Sequence, residues 1–362
     1  MTASTSSIDP STRPVAIWLF VMCVLVAGMV VVGGATRLTD SGLSITEWKP
    51  VTGALPPMSA ADWSAEFEKY KAIPEYDEVN WGMSLAEFKF IYWWEWGHRL
   101  YGRFLGFAFL IPLIVFAAIG RINRPLGVRL GALFLLGGFQ GFLGWWMVAS
   151  GLVDRVDVSQ YRLAAHLGLA VALFGALLWT ALDLVTEKRK RRLPGAPLAL
   201  LIALAVYGQI ILGAFVAGLR AGKTFNTWPL MDGALVPPGY FVSGPRFNDL
   251  FETMAAVQFN HRIGAYMLLA GAGLLFWRYR DTPNARRYGF VLAGVLLQAA
   301  LGVWTVLAST PIALGLAHQL GALALLAAAI YAAHGAYRLS PQSDVGAKLG
   351  MMSNTGSPSV AA

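Results

Sequence analysis

Residues 90–116 read FIYWWEWGHRLYGRFLGFAFLIPLIVF, a run long and apolar enough to cross a bilayer that still carries Glu95, His98, Arg99 and Arg103. About 20 apolar residues span the hydrocarbon. Ionisable groups at that depth are costly, so the cluster points to function rather than packing. Working outward, comparable stretches lie at about 16–34, 131–150, 161–182, 198–219, 255–277, 288–308 and 311–333. Of 362 residues, 56% are hydrophobic and 13% charged, and the mean hydropathy is +0.56. These features predict an all-α membrane protein with eight transmembrane helices.

Basic residues gather near the N-terminus, in RINRPLGVR, EKRKRRLPG and RYRDTPNARR, and in the C-terminal tail. Such segments face the cytoplasm, which places both termini on that side. The net charge of +8 is therefore a topology signal and not a nucleic-acid surface. The opening MTASTSSIDPSTRP lacks the pattern of a removable signal peptide, so the first helix is expected to remain as an anchor. The single cysteine, Cys23, excludes an intramolecular disulfide or a thiolate cluster and reads as a small buried apolar side chain.

The chain repeats itself. EWKPVTGALPP ending at Pro57 matches NTWPLMDGALVPP ending at Pro238, with Trp48, Gly53, Ala54 and Leu55 all at one constant offset from Trp228, Gly233, Ala234 and Leu235. GHRLYG then matches NHRIGA, FQGFLGWWMVASGL matches LQAALGVWTVLAST, and LAAHLGLA matches GLAHQLGA. A repeat of four helices is parallel rather than inverted, so the expected architecture is two pseudo-symmetric four-helix bundles. The division is a cytoplasmic tail at 1–14, an N-terminal half at 15–186, a basic linker at 187–197, a C-terminal half at 198–336 and a cytoplasmic tail, expected to be disordered, at 337–362.

Four of the five histidines fall at equivalent places: His98, His166, His261 and His318, each in the outer third of its helix. Neutral imidazoles on facing helices, without thiolates and with few carboxylates, suit haem iron better than magnesium or calcium. One pair per half predicts two haem positions. Small residues four places after each histidine, Gly102, Ala170, Ala265 and Ala322, leave room for a flat macrocycle. Arg99, Arg103, Arg162 and Arg262 lie beside the ligands as forked donors for haem propionates, with ion pairing to the outer loops as the competing account. His334 has no counterpart and reads as structural.

The halves differ where EWGH aligns with QFNH. Glu95 shares a helical face with His98, whereas its counterpart is Gln258. A carboxylate beside one porphyrin only makes that half the candidate for chemistry, by proton transfer or by stabilising a cationic intermediate. An ion pair with Arg99 is the alternative. The long acidic and aromatic outer loop at 36–89 is placed to form a lid over the site.

GGATRLTDSGLSITEWKPVTGALPP, EFKFIYWWEWGHRLYGR, FNHR and LAHQLGAL together resemble the haem A synthase family over nearly the whole chain. Lacking cysteine pairs in its outer loops, the sequence is similar to the proteobacterial and mitochondrial branch. The resemblance implies oxidation of the C8 methyl of haem O through successive hydroxylations to the formyl group of haem A, in the bacterial inner membrane, for cytochrome oxidase biogenesis. It implies a haem b on His261 and His318, and a substrate site on His98 and His166 with Glu95, toward the periplasmic side. It further implies an electron donor, functional links to haem O synthase (protohaem farnesyltransferase) and cytochrome oxidase assembly factors, and contact with membrane lipid; it leaves homo-oligomer formation open. The rival is a dihaem cytochrome b-like electron-transfer subunit; a haem or small-molecule transporter fits less well with four histidines at one depth.

The charge pattern yields a direct test. Reporter fusions after Arg192 and Arg287 are expected to read cytoplasmic, and fusions at Lys71 and Ser243 external. A cytoplasmic signal at Lys71 would move all four histidines to the other face.

Overall fold

The computed structural model describes residues 10–153, 155–186, 193–241 and 249–338. Most of the basic linker and nearly all of the C-terminal tail lie outside these residues. Among the described residues the helices are α1 (Arg13–Leu38), α2 (Ala60–Tyr70), α3 (Pro74–Glu78), α4 (Leu85–Ala118), α5 (Arg124–Val148), α6 (Gln160–Val185), α7 (Ala196–Gly218), α8 (Asp249–Glu252), α9 (Met254–Tyr279), α10 (Ala285–Leu307) and α11 (Ile312–Arg338). Seven of them, α1, α4, α5, α6, α7, α10 and α11, are long and apolar enough to cross a membrane. The sequence reading counted an eighth span here. That segment, α9, forms a helix of 26 residues, but Gln258, Asn260, His261 and Arg262 in its outer part lower its apolarity.

Local signals set the helix starts. Ser84 and Glu87 form a reciprocal capping box at the start of α4, and Ser59 and Asp62 do the same for α2. Asn123 caps α5 and Thr253 caps α9 through backbone N–H groups. At about 1.5 Å per residue, the 34 residues of α4 reach roughly 50 Å, well beyond a hydrocarbon layer of about 30 Å. The first turns of α4 therefore stand outside the membrane and carry the outer cap.

The first and third helices of each set of four pack against the second and the fourth: α1 and α5 against α4 and α6, and α7 and α10 against α9 and α11. The sets meet where α1 and α6 pack on α7 and α11. Small residues let the backbones approach, as lipid tails offer little hydrophobic drive between helices. Tyr207 donates to the Gly168 carbonyl at 3.2 Å, and a β-carbon at Gly168 would press on Ile211. At the C-terminal ends of α1 and α7, Asp157 accepts from Arg37 at 2.6 Å and from Arg220 at 2.9 Å. Arg220 also pairs with Asp40 at 3.0 Å. Asp40 and Arg220, at equivalent places in the repeat, both adopt left-handed backbone, with φ of 52° and 53°. At the other end, His334 is buried and bonded to Asp183 at 3.0 Å, and Asp183 accepts from Arg129 at 2.8 Å. That accounts for His334 structurally, as a tie between α6 and α11. Cys23 is buried against α6.

The long outer loop folds as a cap. Trp63, Phe67, Tyr70, Tyr76, Phe88 and Tyr92 form its aromatic core. Inside it, Glu75 is 3% exposed and accepts from the Tyr70 hydroxyl at 3.1 Å. Burial pushes its carboxyl up to about 8, helped by the nearby charges of Asp157, Asp40 and Glu95 and opposed by the Tyr70 hydrogen bond.

A carboxyl that holds its proton to about pH 8 when folded but releases it near 4.3 when unfolded makes the folded state the better proton binder between those values. Stability from this group therefore falls as pH rises through that window. Glu75→Gln is expected to remove the slope and, at pH 9, to stabilise the cap by up to about 5 kcal/mol. Hydrogen exchange of residues 60–80 against pH checks this; parallel curves for wild type and variant would contradict it.

Candidate functional site

Each of the four histidines lies against a glycine of the preceding long helix. A β-carbon at Gly33 on α1 would stand 3.1 Å from His98 Nε2 on α4. At Gly144 on α5 it would stand 3.1 Å from His166 Cε1 on α6, at Gly213 on α7 3.3 Å from His261 Cε1 on α9, and at Gly302 on α10 2.9 Å from His318 Cε1 on α11. Contacts of 3 Å leave no room for a methyl group, so glycine is what lets each imidazole lie against the neighbouring helix.

Three of these rings are also gripped. One helical turn before the glycine, Gln140, Gln209 and Gln298 each place a carboxamide nitrogen 3.1 Å from Nδ1 of His166, His261 and His318. The same nitrogens donate to the main-chain carbonyls of those histidines at 2.9, 2.7 and 2.7 Å. The contact fixes the ring orientation. With the carboxamide nitrogen donating, Nδ1 is the acceptor and the ring proton sits on Nε2. Binding a metal through Nε2 moves that proton to Nδ1 and calls for the carboxamide to present its oxygen, which in Gln140 and Gln209 has no other partner. Sequence reading missed the glutamines and glycines. Their signal was a repeated pattern, QGFLG, QIILG and QAALG, on three helices.

His261 and His318 face each other with ring centres 6.4 Å apart and planes at 73°. Metal–imidazole bonds of about 2 Å on opposite sides of one ion put ring centres roughly 6 Å apart. The ring-centre spacing is close to that value. Among the described residues no three His, Cys, Asp or Glu side chains come together to cage a metal. Two protein ligands suit an ion whose other four positions a porphyrin supplies.

Glu95 is buried, 2% exposed. One carboxylate oxygen accepts from the Ser44 hydroxyl at 2.8 Å and the Ile45 N–H at 2.7 Å. The other accepts from Arg99, Nε at 3.1 Å and Nη2 at 2.5 Å. Arg99 in turn donates to the carbonyls of Ile45 and Glu47 at 2.7 and 2.9 Å. In the C-terminal half Gln258 bonds the carbonyls of Ala221 and Phe225, and Arg262 donates to Phe225 at 3.0 Å. Ile45 and Phe225 are separated along the chain by the same interval as Asp40 and Arg220, so the same guanidinium-to-loop bond is built twice. Among the described residues no hydrogen bond joins Glu95 to His98.

The four arginines read as propionate donors are placed as follows. All donor nitrogens of Arg99 are engaged. Arg103 donates to Pro50 and Lys49 carbonyls at 2.8 Å, and Arg162 donates to the Trp146 carbonyl at 2.6 Å. Arg103 and Arg262 each keep Nη1 buried without a partner. Beside Arg99 and Arg103, under the cap, lies a cavity of about 380 Å³ lined also by Tyr92, Trp96, Lys49 and Glu66.

A family model described as a cytochrome oxidase assembly protein matches residues 16–330. The heme A synthase of Parvibaculum lavamentivorans is 54% identical over 327 residues, which cover 90% of this chain and 95% of that protein. That of Nitrosospira multiformis is 48% identical, covering 89% and 93%, and that of Bradyrhizobium diazoefficiens is 50% identical, covering 88% and 90%.

The glycine contacts generate a prediction. Gly302→Ala, with the tightest approach to a histidine, is expected to push the His318 ring off its axis and to cost about 10–100-fold in metal-group affinity. Pigment content per chain after purification checks it; Gly208→Ala, where a β-carbon meets nothing, is the control expected to bind normally. Equal pigment in both variants would contradict it.

Proposed function

We infer that this chain, which belongs to the cytochrome oxidase assembly protein family, is a haem A synthase, an oxidoreductase that converts haem O to haem A. The observation that carries the site assignment is the asymmetry of two otherwise matching halves: Glu95 with Ser44, Ile45 and Arg99 in one, Gln258 with loop carbonyls in the other. Haem O sits in the N-terminal half with its iron on His98 and His166. A resident haem b sits on His261 and His318, where the ring spacing suits it. When bound, haem b supplies one-electron redox chemistry beside the substrate.

The architecture is read as eight spans, with α9 the eighth, in two four-helix bundles related by a parallel repeat. The matching helix order, the paired backbone at Asp40 and Arg220 and the paired loop bonds at Ile45 and Phe225 support this reading. The site lies on the periplasmic side of the inner membrane, with both termini cytoplasmic, following the basic segments. The free Nη1 of Arg103, beside the cavity, and of Arg262 are the donors best placed for propionates. Arg99 acts through the Glu95 carboxylate and the loop, and Arg162 through the outer end of α5.

Oxidation proceeds at the C8 methyl. Two hydroxylations of that carbon, each taking its oxygen atom either from dioxygen with two electrons from a donor or from water with two electrons passed to an acceptor, give a geminal diol, which loses water to leave the formyl group. Protons leave the carbon and its oxygens along this course, and Glu95 is the buried carboxylate on the same helical face as His98. Four donors hold it in one orientation, and taking up a proton requires one of them to give way. The links to haem O synthase and oxidase assembly follow from the substrate and the product.

Glu95→Gln tests the assignment. The C-terminal half already folds with glutamine at this position, so the variant is expected to fold, retain haem b and bind haem O. Conversion to haem A is expected to fall at least about 100-fold. Normal haem A output would reduce Glu95 to the anchor of the loop.

A further inference from the structure

The histidine contacts follow one pattern in all four places but for one substitution. QGFLG from Gln140, QIILG from Gln209 and QAALG from Gln298 each present a carboxamide and, one turn on, a glycine to a histidine; the fourth is MVVVG, from Met29 to Gly33. Gly33 still receives the His98 ring, but a thioether donates no hydrogen bond and accepts only weakly, whereas a carboxamide does both. Among the described residues no side chain hydrogen-bonds the His98 imidazole. The opposing residue has changed as well. In the C-terminal half the Gln209 carboxamide oxygen occupies the space that a side chain at Gly264 would fill. The aligned residue in the N-terminal half is Tyr101, whose hydroxyl turns away to the Leu25 carbonyl at 2.8 Å, against Gly28. A methionine and a tyrosine thus stand where the other half has a glutamine and a glycine.

We propose that Met29 and Tyr101 make the His98 position the exchangeable haem ligand, and that Gln209 with Gly264 makes the His261 position the retentive one. The inference rests on the reading of the N-terminal half as the substrate site. A ring flanked on its Nδ1 side by a carboxamide, whose unpartnered oxygen can accept from Nδ1–H once Nε2 is bound, keeps its ligand nitrogen aimed at the iron; a ring without that neighbour loses orientation between encounters. Partners of this kind change metal affinity by about 10–100-fold. A substrate site has to admit haem O and release haem A in each cycle, whereas a resident redox group has to stay. Leaving one ring of four without a carboxamide meets the first need without removing the ligand. Met29 and Tyr101 act through His98 and are positioning residues.

The test measures haem release. Purified protein carrying haem b and loaded with haem O is mixed with excess apomyoglobin, and transfer of each haem is followed by absorbance and by mass of the extracted pigment. In Gln209→Met, haem b is expected to leave about 10–100-fold faster than in wild type while its low-spin spectrum before mixing is kept. In Met29→Gln combined with Tyr101→Gly, haem O is expected to leave about 10–100-fold more slowly, whereas Met29→Leu matches wild type. Unchanged release of haem b from Gln209→Met overturns the proposal, and this variant decides the matter even where the double variant fails to fold. Unchanged release of haem O from a folded double variant overturns it equally. Failure of the underlying reading looks different: wild type then takes up no haem O that His98→Ala loses, while Gln209→Met still reports on the glutamine grip.

Discussion

Four imidazoles held between long apolar helices constrain everything else in this protein. Each needs a close neighbour and a fixed direction, because an unsatisfied polar ring in hydrocarbon is costly. Glycine on the adjacent helix supplies the closeness, and glutamine one turn earlier supplies the direction for three of the four. The helix spacing, the order of packing and the repetition of the fold all serve to present these pairs. Two helices per half carry the rings and two carry their supports.

The chemistry is layered on that frame by small departures from symmetry. A carboxylate replaces an amide at Glu95, and the loop above it closes down through Ser44, Ile45 and Arg99. The same loop then extends into an aromatic cap that the C-terminal half does not repeat among its described residues. The charge cluster of Arg37, Asp40, Asp157 and Arg220 ties the two halves at their outer ends. The two histidine pairs are thereby carried on helices tied together at that end.

Much of this was legible in the sequence because it repeats. The constant offset between the two loop motifs, the four histidines and the contrast of Glu95 with Gln258 are visible without coordinates. Helix α9 was visible as an apolar stretch, but Gln258, Asn260, His261 and Arg262 make it the least apolar of the long helices and leave it outside the seven that are apolar enough to cross a membrane. The glutamines were overlooked because an intramembrane amide has no fixed meaning until its partner is known; only the contact with Nδ1 gives it one. The arginines were read as propionate donors beside the histidines, whereas the bonds they make go to main-chain carbonyls, of the loops for Arg99, Arg103 and Arg262 and of α5 for Arg162. A guanidinium near an irregular loop has many acceptors, and sequence does not rank them. The buried Glu75 carried no signal at all, since a carboxylate in an acidic loop reads as solvated.

The central claim is that one half holds a resident haem and the other a haem that is changed and released. Mass determination of every haem extracted from the protein, purified from cells that make haem O, tests it most directly when wild type is set beside His98→Ala and His261→Ala. The account predicts haem b with haem O or haem A in wild type, haem b alone in His98→Ala, and loss of haem b in His261→Ala. Haem b as the sole pigment in wild type, at two per chain and reduced equally by either substitution, would contradict it and leave an electron carrier with two equivalent sites.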